Sequence, residues 1–125
     1  MDKNKKEVMT EKTDGFGIPG KNLLQEMAKV GNKDGYIFRV YKEPFGNPSF
    51  HLEYKNDFEI VLQIKDLKIL EIKFNNSHFK FKKNENIPGE IKKVVLDFLD
   101  EINSIDPTKT NGEFLDVLWR ALNQE

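Results

Sequence analysis

From Gly35 to Lys82 the chain alternates apolar and polar residues with a period of two, in short runs parted by turn-forming residues. Phe50, Leu52 and Tyr54 interleave with His51, Glu53 and Lys55, and Phe58, Ile60, Leu62 and Ile64 interleave with Glu59, Val61, Gln63 and Lys65. Successive strand side chains point to opposite faces. The pattern therefore predicts an antiparallel meander of about five strands, with one apolar face and one polar face open to water.

Register follows from the same rule, because a one-residue slip would turn every apolar side chain into solvent. Strand one spans about Tyr36 to Tyr41, and a Pro/Gly-rich loop from Glu43 to Pro48 leads into strand two. A loop at Lys55-Asn56-Asp57 sets Tyr54 opposite Phe58 and Leu52 opposite Ile60. One around Asp66-Leu67-Lys68 sets Ile64 opposite Leu70 and Leu62 opposite Ile72. Asn75-Asn76, tolerant of positive φ, predicts a two-residue hairpin into a last strand from Ser77 to Lys82, with Ile72 opposite Phe79 and Glu71 beside Lys80.

The flanks read differently. Residues 1–14 are mostly charged or polar, too poor in apolar area to offset ordering, and read as a disordered leader to a single α+β domain over 15–125. Leu23, Leu24, Met27 and Val30 recur at helical spacing, ended by Gly31, Asn32, Asp34 and Gly35. Pro88 opens a helix to about Ser104 whose stripe is Ile91, Val95, Phe98, Ile102 and Ile105, until Asp106-Pro107 breaks it. Thr110 with Glu113 forms a capping-box pattern ahead of Phe114, Leu115, Leu118, Trp119 and Leu122. Neither helix is stable alone at such a length, so both need the sheet's apolar face. The expected fold is an α+β two-layer sandwich.

Charged residues make up 33% of the 125, yet the formal net charge is only −1, which argues against a strongly basic nucleic-acid binder. The absence of cysteine excludes disulfides and thiolate metal sites. No run approaches the roughly 18 apolar residues of a membrane span, and no secretory signal opens the chain. The expectation is a soluble, cytoplasmic, microbial protein.

Gly15 to Lys21 matches a dinucleotide fingerprint in letters and nearly a P-loop. Both motifs need a buried strand before the glycines and a parallel crossover after them, and Asn22 stands where a Ser or Thr would meet magnesium. The segment reads as a lead-in. His51 and His78, the two histidines, fall on strands two and five of the predicted polar face, roughly 14 Å apart and too far for one ion. Glu53 opposite Glu59 brings two carboxylates together, an arrangement that raises one pKa or holds a hard cation. Solvated surface residues are the simpler account, and no Ser, Cys or Thr sits in a nucleophile context. No catalytic residue, metal ligand or cofactor is assigned.

Tyr36-Ile37-Phe38-Arg39-Val40-Tyr41, followed by Asn47-Pro48-Ser49-Phe50-His51-Leu52, resembles a family of small bacterial proteins of unknown function. Its signature is a β-strand, a short loop and then H-N-P-P-H-F-H, and the likeness covers about Gly35 to Asn103. Gly46 and Ser49 stand at two of the family's histidine positions, while Phe50 and His51 keep the end of the signature. Members are often encoded near toxin–antitoxin-like genes, so the resemblance implies a regulatory, partner-binding role.

The resulting expectation is a non-catalytic module that binds another protein in a regulatory, toxin–antitoxin, immunity or phage–host setting. Arg39, Tyr41, Pro48, His51, Glu53, Glu59 and Val61 on the polar face and its loop would make the contact. The alternative is nucleic-acid binding through Arg39, Lys73, Lys80 and Lys82. A homo-oligomer through an edge strand is also compatible with the pattern.

Overall fold

The computed structural model describes residues 27–42 and 46–123. The expected leader, the glycine motif, Leu23 and Leu24 lie outside them. Five strands, β1 (Met27–Lys33), β2 (Tyr36–Tyr41), β3 (Ser49–Tyr54), β4 (Phe58–Gln63) and β5 (Ile69–Asn75), form one open antiparallel sheet in chain order. Helices α1 (Gly89–Asp100) and α2 (Asn111–Asn123) follow. The α+β meander is as the sequence predicts, but it starts and ends one strand earlier.

At the start, the predicted helix through Met27 and Val30 is strand β1. Its turn is Asp34-Gly35, both at positive φ (52° and 88°), with Lys33 paired to Tyr36 across it. Asp-Gly between two extended runs is a strong short-range hairpin signal, and here it outweighs the helical spacing that Met27 and Val30 share with Leu23 and Leu24. Val30 is an extra residue in the β1–β2 ladder, where the register shifts between Lys29 and Gly31.

At the end, Ser77 to Lys82 forms no ladder with β5. The Asn75 side chain takes the Ser77 amide and hydroxyl and donates to the Phe79 carbonyl, which opens a wide turn in place of a two-residue hairpin. The alternation is nonetheless real: Phe81 is buried and Phe79 half-buried, while His78, Lys80 and Lys82 are exposed. Glu71 beside Lys80 and Ile72 beside Phe79 are therefore not cross-strand pairs.

The β3–β4 hairpin has the expected register, Tyr54 to Phe58 and Leu52 to Ile60. In β4–β5 it differs by two residues at the centre, where Ile60 faces Ile72 and Val61 faces Glu71, and by three at Leu62, which faces Ile69 past an irregularity at Leu70. A shift of two preserves the faces, so the apolar pattern could not report it.

Both helices pack on the face that carries Phe38, Val40, Phe50, Leu52, Ile60 and Leu62. The Phe98 ring of α1 stacks on Phe38 at 3.9 Å between centroids, and Gly31 leaves the space: a Cβ there would lie 3.0 Å from that ring. α1 stops at Asp100 with Glu101 already extended, four residues short of the expected end. Ile102 and Ile105, expected in the apolar stripe, are 63% and 58% exposed. The capping box forms as predicted, with the Thr110 amide donating to Glu113 Oε1 and the Glu113 amide to Thr110 Oγ1.

Candidate functional site

The second face of the sheet is not an open polar row. The rungs Ser49–Gln63, Phe50–Leu62, His51–Val61 and Leu52–Ile60 are buried on both sides. Val61 has no exposed surface and His51 only 3%, which corrects the expectation that both meet solvent. In this arrangement neither side chain is offered to a partner.

Register explains what the polar residues do instead. Glu53 and Glu59 face each other across the β3–β4 ladder, and like charges so placed repel. Each carboxylate turns to a diagonal neighbour. Arg39 Nε donates to Glu53 Oε2 at 2.9 Å, and His51 Nδ1 lies 2.6 Å from Glu59 Oε2, an ion pair whenever the imidazole is protonated. The Tyr41 ring sits 4.2 Å from that of His51. The structure thus brings Arg39, Tyr41, His51, Glu53 and Glu59 into one half-buried row. Such a row satisfies polar groups within a two-sided sheet and fixes ring orientation. Among the described residues no three His, Asp or Glu side chains converge as metal ligands.

The remaining expected contacts are scattered. Pro48 lines a cleft of about 260 Å³ with Asn47, Gln63, Ile64, Lys65, Asp116 and Arg120, none of them from the His51 row. Within it Arg120 pairs with Asp116 at 3.1 Å and Asn47 with Gln63 at 2.9 Å. Gln63 in turn donates to Asp66, whose carboxyl is held below its usual range by the Lys68 amide and by that contact. Lys73 lies 3.4 Å from Glu71 on β5, and Lys80 is off the sheet. His78, off the sheet as well, is not on a fifth-strand polar face.

Sequence reasoning missed the connection between α1 and α2. Asn103, 1% exposed, accepts from the amides of Ile105 (2.9 Å) and Asp106 (2.7 Å) through Oδ1 and donates to Asn111 Oδ1 at 2.9 Å. Buried Asn111 donates to the Phe98 carbonyl at 2.8 Å, tying the loop to the end of α1. Backbone bonds from Asn103 to Lys109 and from Asn111 to Glu101 close it. An Asn side chain that captures nearby amides competes with helix, which is why the stripe through Ile102 and Ile105 never forms. The buried asparagines hold the loop, and the two isoleucines face water.

The same corner is acidic. Asp97 and Asp100 occupy the last turn of α1, which has no basic residue, and Glu101 follows as its cap. Carboxylates at a helix C-terminus oppose the macrodipole, at about 0.3–1 kcal/mol each at low ionic strength. Lys33, from the β1–β2 turn, meets Glu101 at 2.6 Å. That hydrogen bond holds its ammonium above the usual lysine range, and the charges of Glu101, Asp34 and Asp97 add to it. With Asp106 and Lys109 of the connection included, five carboxylates (Asp34, Asp97, Asp100, Glu101, Asp106) stand against two ammonium groups (Lys33, Lys109), and the corner is net negative.

No family model, curated protein or solved structure matches the chain. No helix among the described residues is long and apolar enough to cross a membrane.

Proposed function

We propose that this protein is a non-catalytic protein-binding module of a regulatory, toxin–antitoxin, immunity or phage–host kind, and that its contact surface centres on the α1–α2 connection. One observation carries the reading. Ile102 and Ile105 are more than half exposed on a loop whose backbone is already fixed by buried Asn103 and Asn111. Exposed aliphatic groups on an ordered loop bind without a further ordering cost, which is what pre-organisation contributes to an interface. The β-sheet row of Arg39, Tyr41, Glu53 and Glu59 then serves as framework, with His51 and Val61 beneath the surface.

Affinity purification from the native host tests this with the wild type beside Ile102→Ser/Ile105→Ser. Both positions are exposed, so the variant folds, and a stoichiometric partner present with the wild type is lost. A partner retained unchanged would refute the proposed surface. A second reading, nucleic-acid binding, is favoured by exposed His78, Lys80 and Lys82 on one extended segment. It requires heparin retention that falls steeply with salt.

A further inference from the structure

The two isoleucines make a preformed apolar anchor, and what surrounds them selects the occupant. Glu101, Asp34 and Asp97 surround Lys33 beside the loop, Asp100 adjoins Glu101 at the end of α1, and among the described carboxylates of this corner Glu101 pairs with Lys33 and Asp106 with Lys109. Among the described residues Asp97 and Asp100 form no ion pair, although they sit at the end of α1 where carboxylates are least favourable. A cation docked at this end would relieve both the mutual repulsion and the conflict with the helix dipole. Aliphatic side chains beside it would cover Ile102 and Ile105.

We propose that the corner formed by the end of α1 and the α1–α2 connection receives a lysine- or arginine-rich polypeptide segment carrying aliphatic side chains, supplied by another protein. This rests on the protein-binding reading of the same corner and adds the chemistry of the partner. The isoleucines set affinity, while Asp97 and Asp100 set charge selectivity and the salt dependence of association.

The test uses the full chain labelled with ¹⁵N and three synthetic peptides of equal length: Leu/Lys, Leu/Glu and Ser/Lys. Leu/Lys is expected to shift the amides of residues 97–106 saturably. Leu/Glu and Ser/Lys should each bind at least tenfold more weakly. Ile102→Ser/Ile105→Ser should weaken Leu/Lys at least tenfold, and Asp97→Asn/Asp100→Asn at least threefold. The second pair should leave the melting temperature equal or higher, since it also removes the dipole conflict; a merely structural role would lower it. Equal binding of Leu/Glu, shifts confined to other residues, or self-association through this corner without peptide would overturn the proposal. If the isoleucine variant loses the host partner yet Leu/Lys fails to bind, the partner chemistry is wrong and the surface stands. If the variant keeps that partner, the surface itself is wrong.

Discussion

The same four rungs of β3 and β4 are buried above and below, yet by different chemistry on each side. On the helix side Phe50, Leu52, Ile60 and Leu62 join Phe38 and Phe98 in a continuous apolar cluster. On the other side the corresponding positions are Ser49, His51, Val61 and Gln63, bordered by the Arg39–Glu53 and His51–Glu59 pairs. Burial of apolar area is favourable wherever it happens, whereas a buried polar group only avoids a loss by finding its partner. The first face should therefore dominate stability, and the second should dominate the uniqueness of the register.

The largest effect tests the first half of that contrast. Phe98→Ala empties the space between Gly31 and Phe38 and is expected to cost about 3–5 kcal/mol in urea unfolding. Gly31→Phe would not restore it, because the ring must come from α1 to fasten the helix. A loss below about 1 kcal/mol would mean that α1 is held elsewhere. Next comes Val61→Ala, expected to cost about 2 kcal/mol, because Val61 is fully buried on the second face. No change in the unfolding midpoint would show that this face is wet after all.

What was legible in the sequence follows from the same contrast. Alternation reveals which face is apolar, and it gives β2, β3 and β4 with the β3–β4 register because a slip of one would turn the apolar face to water. Alternation reports polarity, not exposure. His51 and Glu59 read as separate solvated residues although they meet at 2.6 Å, and Val61 reads as an exposed exception although it is packed. Beyond the sheet, local chemistry decided matters that periodicity could not. Asp34-Gly35 made β1 a strand, the Asn75 side chain undid a hairpin, and Asn103 ended a helix four residues early. Of the candidate binding surface, Ile102 and Ile105 are visible in the sequence only as the continuation of a stripe that ends at Phe98.

A smaller effect probes the coupling within the polar face. In a cycle of His51→Ala, Glu59→Ala and the double variant, an interaction energy of about 1–2 kcal/mol is expected at a pH where the imidazole is charged. Glu59→Ala leaves buried His51, and His51→Ala leaves half-buried Glu59, without this contact, so the two costs should not add. Additivity within about 0.3 kcal/mol would mean the 2.6 Å contact contributes nothing to the fold and that the row is mere surface.

The smallest effect lies where that face meets the β4–β5 turn. Asp66 accepts from the Lys68 amide and from Gln63, so its carboxyl ionises below the usual aspartate range in the folded protein. A depressed folded pKa means the unfolded chain takes up the proton first as acid is added. The contribution of Asp66 is thus complete above about pH 4 and fades as pH falls through the lower, folded value. Because Asp66 is exposed, solvent screens the effect and it should be slight. Urea midpoints of wild type and Asp66→Asn, measured between pH 6 and pH 3, should differ at the upper end and converge at the lower. A gap that widens in acid would reverse the sign and detach Gln63 from the polar framework of the second face.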